Sequence, residues 1–584
     1  MKQLLLGNAA VARGLYEAGV RVVSSYPGTP STEITEAAAK FEEIYCEWAP
    51  NEKVAAEVAA GASIAGARSF CAMKHVGLNV AADLLYTMSY TGVNGGMVLA
   101  VADDPGMHSS QNEQDSRRHA IAAKVPMLEP ADSDECCAFT KLAYTLSEEY
   151  DTPVIVRLCT KISHSCSLTE ISDREEIPLK PYIKQPEKYV VLPAFARPRH
   201  PLVEQRTKKL AQWAETCNIN RIEDNGAKTG VIVAGAVYQY AKEALGDSVS
   251  YLKLGMVNPL PTELIQKFAK TVDTLYVIEE LDPIIETHCN TIGVPVIGKE
   301  LFPLCGEFSQ ALIEKLMLGK QAQTFSLNEP TPVRPPVMCC GCPHRGVFYE
   351  LKRAGVFVSG DIGCYTLGAV APLNAMDTCL CMGASVSGLH GFNKARGAQG
   401  EQKAVAVIGD STFMHSGITG LIDITYNQSN SVVIILDNST TGMTGHQENP
   451  TTGKNIYRDP AAAVDLEALC RAVGVQRVRV VDPFDLKAVR TALKEELAAP
   501  QPSVIIARRP CALLKSVVHK PSLVIDPDKC VGCKACLSIG CPAISMKGKK
   551  AVIDSTQCVG CDVCVGLCGS HAIMTQEELT WNRQ

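Results

Sequence analysis

Residues 404–445 read AVAVIGDSTFMHSGITGLIDITYNQSNSVVIILDNSTTGMTG. An apolar strand ends at Gly409-Asp410, a helical stretch follows, and a second apolar strand ends at Asp437-Asn438. Strand, helix and strand in that order make two parallel strands that deliver polar residues to one carboxyl edge, where open α/β sheets bind ligands. Asp410 offers a carboxylate, Asn438 an amide oxygen and Thr440 a backbone carbonyl. Mg²⁺ uses such hard oxygens and completes its octahedron with phosphate oxygens. An ordinary Rossmann-like edge with turn-forming residues is the plain alternative. Upstream, CMGASVSGLHG (381–391) adds a Gly-rich approach around Gly383 that suits a diphosphate.

The same alternation of short β-branched runs and helical stretches recurs along the 584 residues, a length that calls for several domains. A first α/β unit spans 1–165, and it includes VRVVSSYPGTPSTEI, the Ala-rich NEKVAAEVAAGASIAGARS, and the strands GGMVLAVADD and TPVIVRLCT. Residues 166–227 are rich in proline and charge and read as a connection. A second α/β unit covers 228–320, and LNEPTPVRPP reads as a linker because proline breaks regular elements. The third unit covers 337–515, and a short tail covers 522–576. The net charge of −6 carries no sign of nucleic acid or lipid as partner. No run of 18 apolar residues appears, and the N-terminus lacks a signal-peptide apolar core and cleavage site. A cytoplasmic location is expected.

Cysteine is the outlier, at 25 residues. In a reducing compartment clustered thiols are more often metal ligands than disulfides, while isolated ones such as Cys71, Cys217 and Cys470 suit small buried hydrophobes. The tail holds CVGCKACLSIGCP (Cys530, Cys533, Cys536, Cys541) and CVGCDVCVGLCG (Cys558, Cys561, Cys564, Cys568). This resembles the bacterial two-cluster ferredoxin, in which the fourth cysteine of each run crosses to the other cluster. The resemblance implies one 4Fe–4S cluster on Cys530, Cys533, Cys536 and Cys568, and another on Cys558, Cys561, Cys564 and Cys541. The first run has an extra residue before its last cysteine, and Gly569 stands where proline is usual. A pair of zinc knuckles is the alternative.

The strand-end motif of the third unit resembles the GDG…N signature of thiamine-diphosphate enzymes, with Ser411 in place of the second glycine. Such enzymes need a carboxylate beside the aminopyrimidine ring. NEKVAAEVAAG resembles their E-x₈-G pattern, with Glu52 nine residues before Gly61 and Glu57 as a nearby decoy. A solvated helix-surface glutamate is the alternative. YPGTPSTEI resembles the YPxTPS segment of 2-oxoacid:ferredoxin oxidoreductases, where a threonine, here Thr29, approaches substrate. The alternative is a Pro-Gly turn leading to a helix N-cap.

Together with MKHVGLNVAAD, VADDPGMHSSQNEQDSR, GDIGCYTLG and VIIARRPCAL, these segments resemble the large (alpha) subunits of indolepyruvate ferredoxin oxidoreductases over essentially the whole chain. The resemblance implies parallel-sheet pyrimidine and diphosphate domains, a transketolase C-terminal-like domain and a ferredoxin-like α+β module. It implies oxidative decarboxylation of aryl 2-oxo acids, with CoA as co-substrate and ferredoxin as acceptor. A smaller, gamma-domain-like beta subunit in a heteromer, of heterotetramer type, is implied as partner. The implied cofactors are thiamine diphosphate and Mg²⁺, with Glu52, Gly383, Gly409, Asp410, Ser411 and Asn438 around the former and Asp410, Asn438 and Thr440 on the latter. A third, proximal 4Fe–4S cluster is implied on Cys339, Cys342, Cys364 and Cys511, with Cys340 left without a place. A CxxC zinc or redox pair remains the alternative there. A non-oxidative thiamine-dependent decarboxylase, and the same oxidative chemistry on aliphatic or branched-chain 2-oxo acids, are the competing functions.

Overall fold

The structure is a computed structural model that describes residues 1–583 apart from positions 322, 324, 326, 333 and 334. Two positions of the expected linker, 333 and 334, therefore lie outside the described residues. The chain forms two compact units, Met1–Asn328 and Glu329–Gln584.

The first unit is built on a seven-stranded sheet. Its order is Met256–Asn258, Met127–Leu128, Val154–Cys159, Met97–Asp103, Ser69–Lys74, Val22–Ser25, Tyr45–Trp48. All neighbours are parallel except the first pair. Ser69–Lys74 and Met97–Asp103 are buried at every position, as strands covered on both faces must be. A second sheet runs Thr274–Ile278, Thr229–Ala234, Ser250–Leu254, Arg221–Glu223.

Two features add to the expected division. The segments 1–165 and 228–320 do not stand apart. Ile232, Leu252 and Phe268 share one core with Met97, Leu99 and Ile155, and Met256–Asn258 leaves its own sheet to extend the first. Buried Arg117 joins the two, pairing with Asp115 at 2.6 Å and Glu279 at 2.7 Å. The segment 166–227 is more than a connection. Cys166–Glu170 pairs antiparallel with Lys2–Leu6, and Pro193–Thr216 is a 24-residue helix. Pro193 opens the helix, whereas Pro198 and Pro201 lie inside it and each removes an intrahelical N–H bond, so tertiary packing must hold its first turns. Beyond them Val203, Arg206, Leu210 and Ala214 recur at helical spacing and are buried. Prolines read as breakers hid that stripe.

The second unit holds a six-stranded parallel sheet in the order Thr378–Cys379, Phe357–Gly360, Ala404–Gly409, Val432–Asp437, Ser503–Arg508, Arg477–Val481. Strand alternation sorts its side chains into two cores. Val405, Val407, Ile434 and Ile505 pack on one face, and Ala406, Ile408, Val433, Ile435 and Ile506 on the other. From Phe357–Gly360 the chain goes first to the strand on one side and then to Ala404–Gly409 on the other. The strand order therefore switches between these two, and their carboxyl ends open the crevice in which such sheets bind ligands.

The tail has two antiparallel pairs, Leu523–Ile525 with Ile573–Thr575 and Ile544–Lys547 with Lys550–Ile553, and a closing helix Gln576–Arg583. Its small core combines Cys530, Cys536 and Cys564 with Leu523, Ile539, Ile544, Val563 and Ile573. So small a module needs covalent or metal staples to hold.

Candidate active site

At the switch crevice, Asp410 begins the helix after Ala404–Gly409 and is buried. Burial and the neighbouring Asp437 push its carboxyl up to about 7. The backbone N–H of Ser411 donates to Asp410 Oδ1 at 2.8 Å, and Asp437 is itself held by Arg508 at 2.7 Å. The inward amide atom of Asn438 lies 2.9 Å from the Thr440 carbonyl oxygen and 3.2 Å from Asp410 Oδ1. With oxygen inward, the amide oxygen faces both the Thr440 carbonyl oxygen and Asp410 Oδ1, a contact among acceptors that a cation would relieve. Cis ligands of a Mg²⁺ octahedron at about 2.1 Å would stand about 3.0 Å apart, so the donor set fits that ion. With nitrogen inward, the amide would donate to both neighbours instead.

Ser411 has a use that glycine could not serve. Its hydroxyl accepts from Thr441 Oγ1 at 2.9 Å and ties the two strand ends together. Gly409 is small for an internal reason, since a Cβ there would meet the Tyr365 ring at 2.7 Å. Gly383 has φ +87°, and its N–H is engaged: Asp361 Oδ1 accepts from it at 3.0 Å, and Asp361 Oδ2 accepts from the N–H of Ser385 at 3.0 Å. Buried Asp361, missed in the sequence, thus caps the helix Ala384–Arg396. The expected diphosphate cradle at 381–391 has two of its N–H donors taken by this carboxylate. The signal was its position directly after a strand in GDIGC. Phe413–Gly417 winds as a π-helix turn, a distortion often found beside functional residues.

The four cysteines 339, 342, 364 and 511 come together at this same edge. Burial pushes the Cys342 thiol up to about 12, with Cys339 and Cys364 adding to the rise. Burial also raises Cys364, followed by Cys511 and Cys339. The Cys511 N–H donates to the Asn438 carbonyl at 2.9 Å, and a Cβ on Gly442 would lie 3.5 Å from Cys364 Sγ and 3.6 Å from the Asn438 amide. The quartet and the oxygen set thus meet through the Cys511–Asn438 hydrogen bond and around Gly442.

In the tail, burial and then Cys561, Cys541 and Cys558 raise Cys564. Burial and then Cys568, Cys533 and Cys530 raise Cys536. Cys541 therefore sits with the second run and Cys568 with the first. Cys568 is lowered: burial opposes this, but hydrogen bonds from Ser570 and from backbone N–H groups prevail. Among the described residues no group of three His, Cys, Asp or Glu side chains is arranged for a single metal ion. Thiols around a cube of four irons are spread more widely than ligands of one ion. Cys71 and Cys470 are core residues as expected, whereas Cys217 is half-buried.

In the first unit Glu52 opens the helix Glu52–Ile64, behind an Asn51 cap whose side chain accepts from Val54 N at 2.9 Å. Glu52 is 4% exposed, while the Glu57 side chain is 42% exposed and pairs with Lys53. Glu52 is no surface glutamate. A Cβ on Gly77 would stand 2.6 Å from its Oε1, so this glycine, in the first turn of the helix His75–Thr91, makes room for the carboxylate. Thr29 is half-buried at the carboxyl end of Val22–Ser25. Ser31 occupies the N-cap position of the next helix but does not cap it, because its hydroxyl donates back to Gly28 O at 2.8 Å. Lys74, also missed, is buried at the neighbouring strand end within the influence of Asp104.

Family models match three parts of the chain. The pyruvate flavodoxin/ferredoxin oxidoreductase thiamine diphosphate-binding domain matches 13–224, the thiamine pyrophosphate enzyme C-terminal binding domain 361–507, and a 4Fe-4S dicluster domain 522–569. Fold and matched domains together define a thiamine-diphosphate-dependent 2-oxoacid oxidoreductase. Indolepyruvate oxidoreductase subunit IorA of Archaeoglobus fulgidus is 39% identical over 98% of this chain and 97% of its own. The Pyrococcus horikoshii subunit of that name is 40% identical over 94% and 93%. The chain belongs to this IorA family. A solved 2-oxoglutarate:ferredoxin oxidoreductase from Magnetococcus marinus aligns with TM-score 0.46 and 19% identity over 54% of this chain and 64% of that one. Among the described residues no helix is long and apolar enough to cross a membrane.

Proposed function

We propose that the chain is the catalytic subunit of an enzyme that oxidatively decarboxylates aryl 2-oxo acids, chiefly indolepyruvate. CoA takes the acyl group to give aryl-acetyl-CoA, and ferredoxin takes the electrons. A smaller beta subunit completes a heteromer, of heterotetramer type, in the cytoplasm. Bound thiamine diphosphate supplies an electron sink for the carbanion left by decarboxylation. Asp410, Asn438 and Thr440 hold Mg²⁺ against the diphosphate, and Ser411 keeps their two loops in register. Glu52 presents a buried carboxylate to the aminopyrimidine and exchanges a proton there. Thr29 orients the 2-oxo acid. Cys339, Cys342, Cys364 and Cys511 hold a proximal 4Fe–4S cluster. The tail holds two more, on Cys530, Cys533, Cys536 and Cys568 and on Cys558, Cys561, Cys564 and Cys541.

One observation carries the oxidative reading. The Cys511 N–H bonds to the Asn438 carbonyl, and Cys364 and Asn438 both approach Gly442, which supports a one-electron acceptor beside the cofactor. A non-oxidative decarboxylase has no use for one. The test is anaerobic purification with the partner subunit, followed by iron and thiamine quantification and ferredoxin reduction assays with and without CoA. The expected result is about twelve irons per chain, three clusters of four, with CoA-dependent ferredoxin reduction on indolepyruvate. Free aldehyde released without acceptor or CoA would overturn it, and faster turnover of a branched-chain 2-oxo acid would reassign the substrate.

A further inference from the structure

CCGCPHRG (339–346) contains two residues that the reading above leaves unused, Cys340 and Arg345. Arg345 is 5% exposed. Its Nη2 donates to the carbonyls of Met338 at 2.6 Å and Cys339 at 2.9 Å. Its Nη1 donates to Ile539 O at 3.1 Å and also to Gly540 O, directly ahead of Cys541. One guanidinium thus pins the loop carrying Cys339 and Cys342 to the loop carrying Cys541. Two glycines at positive φ let the loops close up. A Cβ on Gly341 would meet Val559 Cγ2 at 2.4 Å, inside the Cys558–Cys561 loop, and one on Gly540 would meet Arg345 Nη1 at 3.2 Å. Cys340 lies beside Cys541, whose proximity raises its thiol after burial does, and its Sγ lies 3.9 Å from Gln557 Oε1.

The charge of Arg345 is the second observation. Its four partners are neutral carbonyls, its Nε is buried without a partner, and among the described residues no carboxylate pairs with it. A buried cation so placed calls for an anion. A cube ligated by four thiolates carries net negative charge, and its potential responds to nearby charge.

We infer that Arg345 is a positioning residue for electron transfer: it fixes the proximal quartet against the Cys541, Cys558, Cys561 and Cys564 set, making that set the entry point to the tail and raising its potential. The Cys530, Cys533, Cys536 and Cys568 set then receives the electron second. One electron moves at a time from the reduced proximal cluster to the oxidised tail cluster and on to ferredoxin, and no bond forms or breaks. The inference rests on the three-cluster reading above.

The test is an EPR-monitored redox titration of the anaerobic complex in wild type, Arg345→Met and Arg345→Lys. The signal lost in Cys558→Ser identifies the entry set. In Arg345→Met that signal should shift to lower potential while the other tail signal stays in place. The expected size is about tenfold in the oxidised-to-reduced ratio, about 59 mV for one electron. This is the scale of a unit charge about 10 Å away through an effective dielectric near 20. Arg345→Lys should restore most of the shift. If Arg345→Met loses iron, Arg345→Lys decides by flash photoreduction: transfer into the entry set slowed about tenfold supports the role of the fork, and a wild-type rate overturns it. Wild type with twelve irons and unmoved midpoints in Arg345→Met removes this inference alone. Eight irons in wild type remove the third cluster as well.

Discussion

Replacing Gly77 with alanine tests whether Glu52 is the activating carboxylate without touching Glu52 itself. The new Cβ would stand 2.6 Å from Oε1, 2.7 Å from Cγ and 2.8 Å from Cδ of Glu52. To reach ordinary contact near 3.4 Å the carboxylate must move about 0.8 Å, and a misplacement of about 1 Å at a catalytic group is worth roughly 100-fold in rate. Stability moves by a smaller and partly cancelling amount. Alanine gains up to about 1 kcal/mol of helix propensity, and overpacking costs about 1–3 kcal/mol. The contact atoms belong to a flexible side chain, so the net destabilisation should stay below about 2 kcal/mol. The assay is a double-mutant cycle with Glu52→Gln, reading 2-oxo acid-dependent acceptor reduction and thermal unfolding. Glu52→Gln should lower turnover by about 10²–10⁴-fold. Gly77→Ala should add almost nothing in the Glu52→Gln background, because both act through one group. Full activity in Gly77→Ala, or losses that multiply in the double variant, would refute the assignment.

Glu57→Gln is the matched control: an exposed glutamate one helix turn away should change stability by less than about 0.5 kcal/mol and leave turnover at wild type. The raised Asp410 carboxyl gives a pH signature. Its ordinary value is 3.8 and its folded value about 7, so its contribution to apo stability is fully present below pH 3.8 and lost as pH rises through about 7. The scale is a few kcal/mol at about 1.4 kcal/mol per unit. Melting of apo Asp410→Asn should lack this slope, and Mg²⁺ with thiamine diphosphate should raise the wild-type melting temperature more at pH 8 than at pH 5.5. A wild-type slope in Asp410→Asn would contradict the assignment. Cys364→Ser should lower iron by about four atoms per chain while both tail signals remain in EPR, and Cys541→Ser should remove only a tail signal. Loss of a tail signal in Cys364→Ser would show that the sets are wrongly divided.

The sequence by itself determined everything that repeats locally. Apolar runs such as AVAVIG and VVIILD form strands because β-branched and apolar residues at consecutive positions suit a strand buried on both faces, and each strand ends at the Asp-Ser or Asp-Asn pair visible in the sequence. CxxCxxC spacing likewise announced the tail's chemistry. The matching of Cys541 with the second run, and of Cys568 with the first, was legible only through resemblance, and the fold brings those thiols together. Tertiary structure alone decided the rest. Glu52 and Glu57 are equivalent as letters on an Ala-rich helix, but one is buried against Gly77, 25 residues away, and the other is solvated. The helix Pro193–Thr216 was masked by its prolines, because its stability comes from a stripe packed on distant elements rather than from propensity. Asp361 and Arg345 stand inside GDIGC and CCGCPHRG, but neither segment says what they bind. Apart from the adjacent Ile362 N–H, the partners of Asp361 lie 22 to 24 residues away and those of Arg345 6 to 195, and a buried charge acquires its meaning only from the groups the fold sets around it.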